Sequence, residues 1–459
     1  MIEGNEGDSD SGTASASKVP APPNRRARHF FLTFGANLGI MGLTFATGTL
    51  NARLLGPSGR GELAAIQNIP AYLGALASLG LPAAVGYYTA RRPGEARALV
   101  VTGSGLCLAA SLPAILIGYL VMPWALSSQP ARVVHDARLY LSFVALQAVN
   151  VIPYVALQGL RQFDVWNMWR MAPNVASLLA ILAAWLLRSP HAGTVARGYL
   201  MTYALIAPFV YLTLWSRSSP GVARTGSHVR DLFRYGLPNA VTAPAGLLNL
   251  QLDQMLLAAW LPSNLLGLYA VGVSWSALSS PIFSALGSVI FPTLASVHDV
   301  NEQRIMVSRA LRLAILVVIV LGVGLAAVTP LLLPLLFGAP FRGAVPPALV
   351  LVGAGMLLNL NNLCAEILRG MGVPRWTMYS QFAALPVTIV SLLVLLPRWS
   401  IIGAAVSSIL AYAVVEIVCL VGISNVCGLK ARELFPRKAD CIELLGLVRR
   451  YVPFLRQAT

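Results

Sequence analysis

The sequence predicts an all-α membrane protein of about 12 transmembrane helices, arranged as two parallel-repeat six-helix lobes around a central cavity. Three observations predict this fold: the composition, the length of the apolar runs and a repeat within the chain. Of the 459 residues, 57% are hydrophobic and 11% are charged, whereas a soluble globular domain carries roughly 25% charged residues. The mean hydropathy is +0.71. So little charge cannot cover a water-exposed surface, so we assign the chain to the membrane class.

The apolar runs each approach the roughly 20 residues that an α-helix needs to cross a bilayer. Short stretches rich in charge, glycine or proline separate them. We predict twelve spans, at residues 30–55, 62–90, 98–124, 133–159, 165–187, 194–215, 232–261, 265–296, 306–337, 344–370, 376–396 and 401–424.

Polar segments divide the chain into five regions. Residues 1–29 are predicted to be a disordered cytoplasmic N-terminus, because they begin with a stretch rich in Ser, Gly, Ala and Pro that shows no periodicity. Residues 30–216 form the N-lobe, 217–231 a cytoplasmic linker, 232–424 the C-lobe and 425–459 a basic cytoplasmic tail. The first apolar run follows three arginines as a signal peptide would, but it is too long for one and many spans follow.

The basic residues give the orientation. With the N-terminus in the cytoplasm, 25 of the 33 lysines and arginines lie on the cytoplasmic side, either in loops or near the span ends. This bias follows the positive-inside rule and places both termini in the cytoplasm. The net charge of +16 is spread over short loops. Binding to nucleic acid would need a basic face on a folded soluble domain, so we predict no nucleic-acid partner.

The chain repeats itself at an offset of about 206–210 residues. Span 1 ends in Ala-Arg-Leu-Leu-Gly-Pro-Ser and the chain re-enters at Gly61, whereas span 7 ends in Ala-Ala-Trp-Leu-Pro-Ser and the chain re-enters at Gly267. The turn after span 4 leads into Val-Trp166-Asn-Met, and the turn after span 10 leads into Arg-Trp376-Thr-Met. Six spans in each half give a parallel repeat about an axis along the membrane normal. Transport is therefore the leading class of function.

Two stretches resemble a known family. They are Asn51-Ala-Arg-Leu-Leu-Gly-Pro-Ser-Gly-Arg-Gly-Glu-Leu-Ala and Leu252-Asp-Gln-Met-Leu-Leu-Ala-Ala-Trp-Leu. Both are similar to the polysaccharide-transporter branch of the MOP flippase superfamily, the Wzx-like oligosaccharide flippases. The resemblance implies a flippase of the bacterial inner membrane that moves a polyprenyl-diphosphate-linked oligosaccharide by alternating access. It also implies contact with membrane lipids, and it makes polysaccharide assembly proteins candidate partners.

Other branches of the superfamily remain open. The lipid II flippases carry arginines in the middle of their first two helices, but this chain has Asn37 at the first of these positions. That departure lowers the case for a lipid II flippase. The MATE drug exporters share the topology and provide a second alternative. A membrane-embedded enzyme of polysaccharide assembly is a third, but the outer loops are short and carry few charges.

Polar residues inside the spans are the candidate binding groups, since a bare diphosphate cannot enter hydrocarbon. Those of spans 7 and 10 share a depth near the bilayer midplane. The asparagines can equally serve helix packing, whereas an ionisable Asp253 at that depth indicates function, including the binding of a coupling cation. Arg53 and Arg60 flank the turn after span 1 and fit a structural clamp with Glu62 or a substrate contact. The candidates are Asn249, Gln251, Asp253, Asn359, Asn361, Asn362, Arg53 and Arg60.

No catalytic, metal or cofactor motif is present in the sequence. The glycines of Gly56-Pro-Ser-Gly-Arg-Gly lack the Gly-Lys-Ser/Thr of a phosphate-binding loop. The cysteines form no Cys-x-x-Cys pair and no pair with histidine at metal-ligand spacing. We therefore predict no cofactor, no metal site and no enzymatic activity. The cysteines, which we expect to pack as small apolar residues, are Cys107, Cys364, Cys419, Cys427 and Cys441.

Overall fold

The computed structural model describes residues 23–188, 190–219, 225–297 and 299–429, together with residues 433, 436, 437 and 440. This part of the chain is helical and contains no strand. Three short 3-10 helices lie at 93–95, 277–279 and 339–344. The α-helices are α1 (Pro23–Ala77), α2 (Leu81–Arg91), α3 (Ala96–Ala125), α4 (Ala131–Tyr140), α5 (Ser142–Gly159), α6 (Phe163–Leu186), α7 (Ala192–Arg217), α8 (Thr225–Trp260), α9 (Ser263–Ser276), α10 (Ser280–Ser296), α11 (Val300–Phe337), α12 (Val345–Gly370) and α13 (Arg375–Cys427).

The two longest helices are each broken in the middle. Gly56 interrupts α1 with a φ of 65°, and Ser400 interrupts α13 with a φ of 50°. At 1.5 Å per residue, the 53 residues of α13 would reach about 80 Å, far beyond a hydrocarbon core of about 30 Å. The breaks therefore turn each helix into two spans. Every predicted span then coincides with one helix or one consecutive group of helices.

Among the described residues, eight helical segments are long and apolar enough to cross a membrane, or nine if the bent pair α1–α2 counts as a span. Large apolar side chains face outward on several of them, and Leu112, Leu186 and Leu331 are each at least 70% exposed. Outward-facing leucines are expected when the surroundings are lipid rather than water. The prediction of an all-α membrane protein is confirmed. The predicted number of about twelve transmembrane helices is consistent with the helices of the structure.

Three predicted spans contain an interruption that was not predicted from the sequence. The second span turns by 45° between α1 and α2, where Leu79 and Gly80 have φ angles of 48° and 66°. The fourth is divided at Leu141, and the eighth contains the 3-10 turn Ala277–Ser279. Hydropathy does not register such interruptions, because it depends on which residues are apolar and not on the backbone angles.

The N-terminal prediction needs one correction. Helix α1 begins at Pro23, so residues 23–29 are helical and the prediction that 1–29 are disordered is wrong for them. Proline favours the first turn of a helix, where its fixed φ suits the backbone and its missing N–H is not needed. Residues 1–22, part of the predicted linker and most of the predicted tail lie outside the described residues.

The helices turn at two opposite ends of the molecule. The Gly56 end holds the breaks at Gly56 and Ser400 and the turns after α3, α6, α8 and α11. The Arg92 end holds the turns after α2, α5 and α12. We call α1–α7 the first half and α8–α13 the second half. Their closest mutual contacts are those of α1 with α9 and of α8 with α1, α2 and α3.

At the Gly56 end, the turn between α3 and α4 caps α8. The hydroxyls of Ser127 and Ser128 donate hydrogen bonds to the Ala259 carbonyl oxygen at 3.0 and 2.7 Å. Gln129 Nε2 donates to the carbonyl oxygen of Ala258 at 2.8 Å. The last carbonyls of a helix have no partner within it, so the first half supplies the cap for a helix of the second half.

At the Arg92 end, the start of α8 also contacts the first half. His228 Nε2 lies 2.9 Å from Glu95 Oε2, and Arg92 forms an ion pair with Asp231 at 2.8 Å. Leu232 is buried in a cluster with apolar residues of α2, α3 and α5. Further along, α8 packs on α13. Helix α8 therefore touches both halves, and the lobe limits at residues 216 and 232 stay predictions.

Candidate functional site

A cavity of about 760 Å³ lies between α8, α12 and α13 and reaches the Arg92 end. We call it the α8–α12–α13 cavity. Leucines and a valine form its apolar wall. Its polar lining combines amides, hydroxyls and guanidinium groups, contributed by Asn249, Asn361, Asn362, Gln381, Thr377, Tyr412, Arg369 and Arg375.

Three of the predicted site residues line this cavity. Asn249 Nδ2 donates to both the backbone oxygen and Oε1 of Gln381 at 3.0 Å, so α8 is tied to α13. Asn361 Nδ2 donates to the Tyr412 carbonyl oxygen at 3.1 Å, while its buried Oδ1 has no hydrogen-bond partner among the described residues. Asn362 is exposed. The asparagines therefore serve packing and also present amide groups to the cavity.

Two arginines of the cavity were missed as site residues. Arg369 forms an ion pair with Glu366 at 3.1 Å, as residues three apart on a helix can, and it also lines the cavity. Arg375 is exposed at the start of α13, and no ion pair of its guanidinium is found in the described part of the chain. Both lie near the Arg92 end, whereas the polar residues predicted on spans 7 and 10 were expected near the midplane.

Asp253 lies outside the lining of this cavity. It is only 6% exposed, and the Tyr269 hydroxyl donates a hydrogen bond to its Oδ2. Ser408 Oγ donates to the same oxygen at 3.3 Å, and the Gln254 N–H donates to Oδ1 at 2.6 Å. Within the described ranges, no basic side chain forms an ion pair with Asp253. Its carboxyl group is thus held by neutral donors alone.

The two predicted arginines lie at the Gly56 end. Arg53 donates to the carbonyl oxygens of Leu335 and Leu336 at 2.6 Å each, which satisfies the end of α11. The Nε of Arg60 is buried without a hydrogen-bond partner among the residues described. Glu62 pairs with Arg132 at 2.7 Å. A structural clamp therefore exists here, but Glu62 pairs with a different arginine from the two that were predicted.

The remaining candidates lie away from the cavity. Asn359 is buried and donates to Ser279 Oγ at 2.8 Å. Gln251 is partly buried, and its Oε1 has no partner within the described ranges. Asn37 accepts a hydrogen bond from Arg170 Nη2 at 2.8 Å. Within the described parts of the chain, no group of three or more His, Cys, Asp or Glu residues is arranged to hold a metal.

Known families and proteins share parts of this sequence. A family described as "Polysaccharide biosynthesis protein" matches residues 50–346. A probable low-salt glycan biosynthesis flippase, Agl15 of Haloferax volcanii, is 23% identical over 220 residues, which cover 47% of each protein. An uncharacterized membrane protein of Methanocaldococcus jannaschii is 22% identical over 193 residues, 41% of this chain and 38% of that protein. The chain thus spans less than half the length of these relatives.

Solved structures share the fold over nearly the whole chain. The lipid II flippase MurJ in an inward closed conformation has a TM-score of 0.73 at 12% identity and covers 93% of both chains. An inward-facing multidrug resistance MATE family transporter of the MOP superfamily has a TM-score of 0.64 at 15% identity and covers 85% of this chain and 96% of its own. Together with the family match, this likeness of fold confirms the resemblance seen in the sequence.

Proposed function

Because the chain belongs to the family of polysaccharide biosynthesis proteins, we propose that it flips a polyprenyl-diphosphate-linked oligosaccharide from the cytoplasmic to the outer leaflet of the bacterial inner membrane. The observation that carries this proposal is the α8–α12–α13 cavity. It places amides and two arginines inside a protein whose outer surface is apolar. The glycan flippase named among the relatives agrees with the same class of substrate.

The chemistry of the cavity fits a glycan diphosphate. Amide groups such as those of Asn362 and Gln381 can donate to and accept from sugar hydroxyls. The guanidinium groups of Arg369 and Arg375 match phosphate oxygens in both charge and geometry. A diphosphate that leaves water without such partners would face a prohibitive desolvation cost. In this proposal the head group occupies the cavity while the polyprenyl chain stays in the lipid.

We propose alternating access because the α8–α12–α13 cavity of the second half reaches one end of the molecule only, the Arg92 end. The halves are held together at the Gly56 end by the α1–α9 crossing and the cap on α8, and at the Arg92 end by the ion pair of Arg92 with Asp231. The bias of basic residues assigns the Arg92 end to the cytoplasm. We therefore propose that this conformation loads substrate from the cytoplasmic side, with residues 30–216 and 232–424 as the moving lobes.

The role that we propose for Asp253 is to bind a coupling cation. Its carboxyl group lies among neutral donors with no basic partner in the described structure, and an unpaired carboxylate at membrane depth is costly. Charge gained or lost at this residue during the cycle would couple transport to an ion gradient. Polysaccharide assembly proteins are the proposed partners on either side of the membrane.

Deletion of the gene tests the proposed function. Lipid-linked oligosaccharide should accumulate on the cytoplasmic leaflet, surface glycan should disappear, and the intact gene should restore both. Increased sensitivity to cationic drugs with normal surface glycan would instead favour a MATE-like exporter. Accumulation of lipid II would favour the lipid II alternative.

A further inference from the structure

A second cavity lies between the two halves. It measures about 500 Å³, and α1 and α6 of the first half and α10 of the second half line it. Its polar groups are Thr33, Asn37, Arg170, Ser280 and Ser284. We call it the Arg170 cavity. A smaller cavity of about 280 Å³ inside the first half touches the same arginine from the other side.

The guanidinium of Arg170 is not neutralised in the described structure. Its one hydrogen bond goes to Asn37 Oδ1 at 2.8 Å, and it stacks on the Trp166 ring with 4.4 Å to the ring centroid. No carboxylate among the described residues forms an ion pair with it. Arginine has five N–H donors, so most of them remain for another partner. At seven residues into α6, Arg170 lies about 10 Å along the helix axis, where an uncompensated charge indicates function.

The smaller cavity contains a second, independent sign of a polar occupant. Asn150 is only 3% exposed, yet its Oδ1 has no hydrogen-bond partner among the described residues. Gln147 Oε1 and Trp169 Nε1 are also buried without partners in this part of the chain, and all three residues line this cavity. Unpaired buried polar atoms of this kind call for water or a polar ligand. The arginine therefore borders a space that is built to be hydrated.

We propose that Arg170 binds a phosphate group carried by a lipid, seated in the Arg170 cavity between α1, α6 and α10. A planar guanidinium pairs with phosphate oxygens through two parallel hydrogen bonds, and the hydroxyls of Ser280 and Ser284 line the same space. Phe34 and Leu38 line it as well, and both side chains are more than 40% exposed. An apolar rim next to a charged group suits a ligand that has a hydrocarbon tail.

The position of the site suggests what it does. A phosphate held by Arg170 of α6 and by the serines of α10 would be bound by both halves at once, so its arrival would favour one relative position of the halves. The anion site itself is supported by the cavity and by the guanidinium group of Arg170, which has no ion pair within the described ranges. The choice between the lipid-linked substrate and a membrane phospholipid rests on the proposed function.

Binding to the purified protein in phosphatidylcholine nanodiscs tests the site. Every protein compared also carries Arg369→Gln and Arg375→Gln, so that the guanidinium groups of the α8–α12–α13 cavity do not contribute to the binding of a diphosphate, and the protein that keeps Arg170 is called the wild type in this comparison. The probes are farnesyl diphosphate, inorganic pyrophosphate and farnesol, which has the same tail without the phosphates. We expect the wild type to bind both diphosphates and to bind farnesol much more weakly. Arg170→Gln should weaken the binding of both diphosphates by about tenfold or more, since hydrogen bonds between charged groups are lost. Arg170→Lys keeps the charge but loses the planar guanidinium group. Its affinity for the diphosphates should therefore lie between those of the wild type and Arg170→Gln.

Arg138→Gln is the matched control. Arg138 also stacks on an aromatic ring, that of Tyr119 at 4.2 Å, but it lines neither the Arg170 cavity nor the smaller cavity beside it, and it is absent from the α8–α12–α13 cavity. This variant should bind as the wild type does. Equal binding of farnesyl diphosphate by Arg170→Gln and the wild type would overturn the proposal, as would equal affinity for farnesol and farnesyl diphosphate.

Nanodiscs that contain phosphatidylglycerol distinguish the two sources of phosphate. If phosphatidylglycerol competes with farnesyl diphosphate, and this competition depends on Arg170, the result would support the site and assign it to a phospholipid. Absence of competition would support the site and assign it to an isoprenoid diphosphate. If the deletion strain exports glycan normally while binding still depends on Arg170, the proposed function fails and the phosphate site stands. If the deletion strain loses export while Arg170→Gln binds as the wild type does, the phosphate site fails and the proposed function stands.

Discussion

Gly61 of α1 and Gly267 of α9 lie face to face, and neither position has room for a β-carbon. A β-carbon on Gly61 would overlap the carbonyl oxygen of Ser263, and one on Gly267 would overlap that of Pro57. The contact is reciprocal, and the residues of each related pair, 57 with 263 and 61 with 267, are 206 positions apart. A two-fold axis exchanges contacts in this way, which is the geometry that a parallel repeat predicts.

Replacing either glycine of this crossing should impair transport. Alanine at Gly61 or Gly267 would push α1 and α9 apart and destabilise the closed Gly56 end, by about 1–3 kcal/mol for a typical overpacked contact. We expect normal insertion and a several-fold loss of glycan export at matched membrane abundance. Gly48→Ala is the control, because no atom lies within 4 Å of a β-carbon there and alanine favours a helix. Equal export by all three variants would show that the close crossing has no part in transport.

Asp253→Asn should fold but transport poorly. The amide oxygen can still accept hydrogen bonds from the Tyr269 and Ser408 hydroxyls, whereas the amide NH2 group replaces the Oδ1 that accepts from the Gln254 N–H. Two of these three hydrogen bonds are therefore kept while the ionisable group is lost. The measurement is glycan export at matched abundance. Ser408→Ala is the control, since it removes one 3.3 Å hydrogen bond but leaves the carboxyl group. Export by Asp253→Asn at the wild-type rate would limit this residue to packing.

Arg375→Gln should reduce export several-fold, because it removes an exposed guanidinium from the α8–α12–α13 cavity. The same substitution at Arg398 is the control, since this arginine lies near the other end of the same helical segment and is also exposed. Export should be measured against the amount of lipid-linked oligosaccharide on the cytoplasmic leaflet. An equal effect of both substitutions would indicate a general effect of charge, not a head-group contact.

The orientation can be tested by labelling cysteines in intact cells. Ser219 lies at the Arg92 end and is exposed, and His191 is exposed at the Gly56 end. In a background with Cys441→Ser, an impermeant thiol reagent should label His191→Cys and leave Ser219→Cys unlabelled until the cells are opened. The remaining cysteines are buried. The reverse pattern would invert the assigned topology.

Most of the fold was predictable because its main determinant is local. A span of about 20 apolar residues is visible in the sequence itself, and all twelve have a helical counterpart. The bend at Gly80 was not predicted, because it lies inside a continuous apolar run. The Gly80-Leu-Pro82 sequence was its one local signal, since glycine and proline mark such breaks.

The site was predicted only in part, because a lining depends on neighbouring helices. Asn249 and Asp253 are one helical turn apart on α8 and share a face. Asn249 nevertheless lines the cavity, while Asp253 is covered by Tyr269 and Ser408. The sequence does not show where α9 and α13 cross that face. Arg170 was missed for a similar reason, since its importance comes from the cavities on both sides of it.

The cap that the α3–α4 turn places on α8 makes hydration part of the proposed transport cycle. In the proposed cycle, separation of the halves at the Gly56 end would take from the carbonyls of Ala258 and Ala259 the donors that now satisfy them. An unsatisfied buried carbonyl costs about 1–3 kcal/mol, so water must take the place of these donors. The open form therefore holds more water than the closed one. Sucrose and other solutes that are excluded from protein surfaces favour the drier form, and they should slow transport in proportion to osmolality while leaving the binding of the head group unchanged.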